Sequence, residues 1–514
     1  MNQRLGTVVI LTILALLDGC KVGPNYVKPK AEIPPAYKED AGWKVAQPQD
    51  QLPRGKWWDL FGDPQLNALE EQVSVSNQSV QLSLAQYRQA RALVQEARSA
   101  LVPAVSLNPA VTRAKASSTL GSQPVARGAI TAYQVPLDAS WTVDLWGQYR
   151  RGYESTEASA QASAAQLETT RLAMQSELAQ DYFLLRTLDS QKVLLEDTAV
   201  NYQKTLDLTK NRYAAGVVSK ADVVTAETLL RSTQAQAIAV GVQRAQTEHA
   251  IAMLIGQPAP LFSLPAMPLP LTVAPPVIPA GVPSTLLERR PDIAAAERSV
   301  AAANAQIGVA IAGYYPNLTL NGALGFSTTN SFAPCCSQLF TYPSRFWSLG
   351  AQAAQPLFNG FLTRAQVDAA RAAYDGTVAA YRQTVLTGFQ EVEDNLAALR
   401  ILEEEAKVQA AAVASAEQSV QLFLNQYKAG TISYLDVVVV QDTLLSNKVT
   451  AVAILGSRMT AAVLLVRALG GGWQATDLPT PDDLAKRQDL AHGPDTAPPT
   501  TAAANRPAQP HPAQ

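Results

Sequence analysis

Tyr213-Ala-Ala-Gly216-Val-Val-Ser219-Lys-Ala-Asp222-Val223-Val224 and Tyr427-Lys-Ala-Gly430-Thr-Ile-Ser433-Tyr-Leu-Asp436-Val437-Val438 are two versions of one turn, offset by 214 residues. The glycine can take the left-handed conformation that ends a helix, and Ser-x-x-Asp matches a capping box that opens the next. Two helical hairpins therefore turn at these places. The match continues outward: Pro103 pairs with Pro316 and Gly147 with Gly360 at an offset of 213, and Ile255-Gly256 with Leu469-Gly470 at 214. A duplication with one inserted residue over such a length predicts one structural unit built twice.

Each unit reads as a helix, two strands and two very long helices. In the first, Tyr133, Val135, Leu137, Ala139, Trp141, Val143 and Leu145 alternate with polar or small neighbours. That period of two gives a strand with one apolar face. Val105, Leu107, Pro109 and Val111 offer a partner, and the second unit offers Leu318 to Phe326 and Trp347 to Ala353, about four strands in all. Between them fall long proline-free blocks, Leu137 to Gln257 and Leu357 to Leu478. Val378, Val385, Val392 and Leu399 recur every seven residues, with Phe389 and Leu396 beside them, as in a coiled-coil seam. From Gln148 to Asn211, helix at ~1.5 Å per residue makes a rod of roughly 95 Å. Such a rod must pack against other long helices.

Amphipathic strands of this length suit a transmembrane β-barrel, whose backbone must close because hydrocarbon cannot satisfy an open edge. Four strands cannot close, so the expected fold is an α+β membrane protein in which several chains share a barrel continued by a helical tube. A soluble four-stranded sheet on a helical bundle is the alternative, since Pro109 and Pro136 weaken a sheet ladder.

Composition narrows the function. The 514-residue chain has 41 Lys+Arg against 43 Asp+Glu, a formal net charge of −2, which gives no electrostatic case for nucleic acid. Charged residues make up only 16%, below the roughly 25% of soluble domains. The three histidines (His249, His492, His511) are far apart, and no zinc, nucleophile-elbow, dinucleotide or phosphate-loop motif is present. Neither an enzyme nor a cofactor is expected.

Residues 1–19 have a basic start at Arg4 and an apolar run from Thr7 to Leu17, too short to span a bilayer but suited to a signal peptide. Leu17-Asp18-Gly19-Cys20 resembles a bacterial lipobox, which makes Cys20 the expected lipidation site, and Lys21 after it favours sorting to the outer membrane. The domain expectation is a lipid-anchored extended segment over 20–62, a first unit over 63–257, a Pro-rich connector over 258–287, a second unit over 288–473 and a disordered Pro/Ala/Thr-rich tail over 474–514. The connector rests on ten prolines between Pro258 and Pro291.

Val22-Gly23-Pro24-Asn25-Tyr26, Trp57-Trp58-Asp59-Leu60-Phe61-Gly62-Asp63-Pro64-Gln65-Leu66, Glu288-Arg289-Arg290-Pro291-Asp292-Ile293 and Leu469-Gly470-Gly471-Gly472-Trp473 resemble the outer-membrane efflux channel lipoproteins, the TolC-like, NodT-type partners of resistance-nodulation-division pumps. The resemblance implies a homotrimer with a 12-stranded outer-membrane barrel and a periplasmic tube of twelve helices. It also implies a passive exit duct for drugs or other small solutes, docked to a periplasmic adaptor and through it to an inner-membrane transporter. A type I protein-secretion duct is the alternative within this class, and a periplasmic scaffolding lipoprotein the alternative outside it.

On that resemblance the two tips lie at the periplasmic end, so Gly216, Ser219, Asp222, Gly430, Ser433 and Asp436 are expected at the aperture and the adaptor-docking face. Pure helix capping is the competing account of the same residues. Arg212 is a possible partner for the tip carboxylates. Asp442 and Arg458 are weaker candidates, for which an exposed helix face suffices, and in some relatives a gate carboxylate sits nearer the position of Val439. Cys335-Cys336 lies in a stretch the resemblance puts outside the cell, either as a strained vicinal disulfide or as two inert thiols.

Overall fold

A computed structural model describes residues 20–39, 55–115, 129–270, 273–278, 283–329 and 338–486. The first unit comprises α1 (Pro64–Ser76), α2 (Gln78–Ser99), β1 (Ala104–Leu107), β2 (Ala110–Ala114), β3 (Ile130–Val143), α3 (Gln148–Ala214) and α4 (Lys220–Leu254). After a short α5 (Pro283–Arg289), the second comprises α6 (Pro291–Ala312), β4 (Asn317–Thr329), β5 (Arg345–Ala354), α7 (Leu362–Ala429) and α8 (Tyr434–Ala468), followed by α9 (Pro481–Ala485).

One antiparallel sheet joins the units, in the order β1/β2, β3, β4, β5. The strand expected over Val105–Val111 is broken at Asn108-Pro109, and both pieces pair with β3. Proline has no N–H to give the ladder, which accounts for the break. The register sets Leu107 opposite Leu137, Leu137 opposite Leu324, and Leu324 opposite Trp347. Directly opposed residues share a face, so one apolar surface runs across all the strands. Within the described residues β1/β2 and β5 are edges with one side unpaired.

The helices explain the molecule's length. α3 has 67 residues and α7 68, each about 100 Å. Their partners α4 and α8 have 35, so each hairpin returns only about half-way to the sheet. The rest of that path is taken by α2 and α6, each of 22 residues. Asn77 splices the first pair: its Oδ1 caps α2 through the Ser79 and Val80 N–H groups at 2.9 and 3.1 Å, and its Nδ2 donates to the Leu254 carbonyl ending α4 at 2.8 Å. Arg290, its counterpart at an offset of 213, flanks α6 and donates through Nη1 to the Ala468 carbonyl ending α8 at 3.1 Å. Gly256 and Gly470 make both splices possible. Each has positive φ, and a Cβ there would come within 2.4 Å of the Ser76 carbonyl oxygen or 2.0 Å of that of Arg289.

The core gathers around these splices. It contains Trp57, Trp58, Leu66, Tyr182, Ile251, Val385, Phe389, Val392, Leu396 and Leu399, so the heptad stripe of α7 is buried from Val385 to Leu399, with Val378 half-buried against it. The four sequence motifs meet there or just above it. Arg290 pairs with Asp292 and Glu391, each at 2.6 Å. Gly471 abuts Leu172 and Trp57, and the Tyr182 hydroxyl donates to Asp63 at 2.5 Å. Buried Arg151 donates to the carbonyls of Val22 and Gly23 and to Asn25, and Tyr26 donates to Glu297 at 2.5 Å. The Val22 N–H donates to the Trp146 carbonyl at 3.1 Å, which holds the exposed Cys20 beside the base of the sheet.

Two expectations change. The Pro-rich connector is not wholly extended: it carries a 3-10 turn at Ala259–Leu261 and α5, and its middle is pinned by Arg186, Asp189, Arg244 and Glu248, with Arg244 Nη2 on the Leu264 carbonyl at 2.7 Å. The start of the supposed disordered tail is folded, because Leu484 of α9 is buried against Val94 and Ala160. Proline and alanine composition misled there, since the turn is capped by Thr480–Asp483 and held by Arg91, Gln95 and Arg98 of α2, which donate to the carbonyls of Asp483, Leu484 and Ala485. The signal-peptide segment, Cys335-Cys336 and residues 487–514 lie outside the described residues.

Candidate functional site

Both tips are built as the duplicated sequence suggests. At the first, Gly216 (φ +74°) donates its N–H to the Tyr213 carbonyl and Val217 to that of Arg212, at 2.9 Å each. At the second, Gly430 (φ +82°) donates to Tyr427 and Thr431 to Gln426, at 3.0 and 3.1 Å. These are Schellman closures, which satisfy carbonyls the helix end leaves open. Ser219 and Ser433 then cap α4 and α8. One carboxylate oxygen of Asp222 accepts from both the N–H and the hydroxyl of Ser219, each at 3.0 Å, and Asp436 accepts from the same groups of Ser433 at 3.0 and 2.7 Å. In each aspartate only Oδ2 is engaged by the cap.

The tips are bound to each other. Tyr202, Leu206, Ala226, Leu230, Tyr427, Tyr434 and Val437 form one buried cluster across the two hairpins. Burial pushes the phenols of Tyr202 and Tyr434 above their ordinary range, reinforced by the nearby charge of Asp442 at the first and by Tyr427, Tyr202 and Asp222 at the second. Tyr427 and Tyr434 lie 5.6 Å apart between ring centroids.

Arg212 is a correction. Its guanidinium does not pair with a tip carboxylate but lies 4.5 Å over the Tyr427 ring, donating to the Tyr427 carbonyl and, at 3.3 Å, to that of Lys428. It thereby closes the C-terminus of α7 from the neighbouring hairpin, a favourable site for a cation because the helix dipole ends there. Sequence reasoning noted Arg212 for its position but missed its partner, since only the fold brings residue 427 beside it. Asp442 and Val439 are exposed, Arg458 is half-buried, and His249 sits exposed on α4.

Above the tips, α3, α7 and α8 form a groove of about 970 Å³ with Gln441, Leu445 and Lys448 of α8 on its floor. The Tyr202 hydroxyl and Gln441 Oε1 are buried there without a hydrogen-bond partner. Among the described residues, no cluster of His, Cys, Asp and Glu could hold a metal ion.

An apolar-faced sheet, rods of about 100 Å and repeated tips describe a channel subunit. Residues 69–257 and 282–471 match the family model described as outer membrane efflux protein, one stretch in each unit. The chain is 31% identical over 424 residues to the pyoverdine export outer membrane protein OpmQ of Pseudomonas aeruginosa, covering 82% of this chain and 88% of that protein. It is 30% identical over 461 residues to the toluene efflux pump outer membrane protein TtgC of Pseudomonas putida, covering 89% and 94%. The solved outer-membrane channel OprN superposes with a TM-score of 0.82 at 29% identity, over 88% of this chain and all of that one. The chain belongs to the outer membrane efflux protein family. It is an efflux channel of the Gram-negative outer membrane.

Proposed function

We propose that three copies assemble into a duct in which twelve strands close a barrel through the outer membrane and twelve helices form a tube into the periplasm. The observation that carries this is the sheet, which has an apolar face running across its strands and, among the described residues, two unpaired edges, and which leads directly into α3 and α7. Hydrocarbon would leave those edges unsatisfied, and copies of the same chain supply the missing pairs. The duct is passive and is not an enzyme. It takes small solutes from a periplasmic adaptor, itself coupled to a resistance-nodulation-division transporter. The naming of relatives for pyoverdine export and toluene efflux supports small-molecule cargo over protein secretion.

Gly216, Ser219, Asp222, Gly430, Ser433 and Asp436 form the periplasmic tips, where the adaptor docks and the aperture narrows. Three copies of each aspartate bring like charges together, and the free Oδ1 atoms are what such a ring would present to the lumen. Cys20 carries the lipid anchor, and the bond from the Val22 N–H to the Trp146 carbonyl, two residues beyond it, supports that placement beside the sheet. Deleting the gene should raise cellular accumulation of the pump's substrates. Complementation with wild type should reverse this, and complementation with Cys20→Ser should impair processing or sorting more than conductance. A mass spectrum showing a mature N-terminus other than acylated Cys20 would remove the anchor.

A further inference from the structure

The two free edges of the sheet carry a register that the chain itself specifies. Val105 pairs with Ala139 in the first unit, and Leu318 with Ala353 in the second. Equating Val105 with Leu318 keeps the 213-residue offset of Pro103 to Pro316 and carries Ala139 to Ala353 at an offset of 214. Inside the chain the units join through β3 and β4, with Leu137 opposite Leu324. The counterpart of Leu137 is Ala351 on the free edge β5, and that of Leu324 is Val111 on the free edge β2.

We propose that Ala351 of one copy pairs antiparallel with Val111 of the next, with Gly350 opposite Thr112 and Leu349 opposite Arg113, so that the seam between copies repeats the junction within each. This register rests on the shared-barrel assembly proposed above and adds to it the residues that meet. Parity supports it. Trp347, Leu349, Ala351 and Ala353 lie on the face shared with Leu318, Leu320, Gly322 and Leu324, and Val105 and Leu107 on the face shared with Ala139 and Leu137. A slip of one residue would set Ala351 opposite Ala110 or Thr112 and join the apolar face to the polar one.

The base of the sheet offers the seam a second apolar contact. At the inner junction Trp146 stacks on Tyr315, with 4.7 Å between centroids, and donates to the Pro316 carbonyl at 2.9 Å. On the outer side Asn359 stands at the position of Trp146, and the apolar side chains that flank it are bare: Phe358 is 82% and Phe361 71% exposed, and Val102, the counterpart of Tyr315, is 58% exposed. The β5 edge meets the β1/β2 edge, never itself, so the contact is head-to-tail and generates a ring.

Cysteine cross-linking in the assembled protein tests the register. In a background of Cys335→Ser and Cys336→Ser, Ala351→Cys with Val111→Cys and, separately, Gly350→Cys with Thr112→Cys are expressed in the outer membrane, oxidised and run on a non-reducing denaturing gel. Adjacent pairs of an antiparallel ladder alternate between narrow and wide spacing, so at least one of the two should give a ring-closed covalent trimer. Single-cysteine variants should stay monomeric on the gel. The slipped pairs Ala351→Cys with Arg113→Cys and Ala351→Cys with Thr112→Cys should cross-link far less. If a slipped pair dominates, or neither proposed pair reacts, while native mass spectrometry still finds trimers, the register is wrong and the shared barrel stands. Absence of trimers overturns both.

Discussion

Asp222 and Asp436 each commit Oδ2 to a serine cap and leave Oδ1 outside it. Capping alone predicts that Asp222→Asn with Asp436→Asn mildly weakens the tips, by up to about 1 kcal/mol, and leaves conductance near wild type. A place at the aperture predicts altered conductance or cation selectivity in planar bilayers with assembly intact, which is the outcome expected here. Unchanged conductance, selectivity and divalent-cation block would leave both residues as caps. Glu70 of α1 makes a separate prediction. It is fully buried, neither carboxylate oxygen has a partner, and burial pushes its pKa well up. A folded-state pKa above the unfolded one means that stability is fully present below the unfolded carboxylate's range, near 4.3, and is lost as pH rises from there toward the raised folded-state pKa. Glu70→Gln should therefore be more thermostable than wild type at pH 7 to 8, by on the order of 1–3 kcal/mol, with the gap closing toward pH 4. A gap independent of pH would show that Glu70 is not held neutral. At this scale the sequence was legible at the tips, where glycine and the Ser-x-x-Asp box encode local geometry. Glu70, read from sequence, is an ordinary helix residue, because its burial is decided by helices far away in the chain.

Helix lengths and the turns between them were legible from proline placement and periodicity, and α3 begins at Gln148 as expected. The splices were not. Asn77 and Arg290 have different side chains, and their common task emerges only when Leu254 and Ala468 arrive beside them. The repeated Gly256 and Gly470 were the visible trace of it. Gly256→Ala and Gly470→Ala each force a Cβ onto a backbone carbonyl at positive φ, so each should cost more than about 1 kcal/mol and lower the yield of folded protein. A melting temperature unchanged by either substitution would contradict the close packing of the splice. Between the hairpins, Arg212 of α3 donates to the carbonyls of Tyr427 and Lys428 at the end of α7. Arg212→Ala should loosen the two tips from each other and raise the open probability of the channel in bilayers, while Arg212→Lys, which keeps the charge but not the planar fork, should fall between. An unaltered open probability would reduce Arg212 to a local cap.

At the scale of the molecule, a sheet that among the described residues has five strands in four positions, an apolar face and two unpaired edges does not make a finished protein, and neither do helices of about 100 Å that leave Val193, Val200, Val408 and Leu422 exposed. The duplication and the strand pattern made this incompleteness readable from sequence, while the number of copies came only from the family resemblance. The sheet order explains why: two units side by side fix how one chain continues into the next, but not how many turns close the circle. Native mass spectrometry of the protein extracted in detergent asks that question most directly. A single species at three times the chain mass, stable until heated, is the predicted result; a folded monomer with its full complement of strand and helix would contradict a barrel shared between chains.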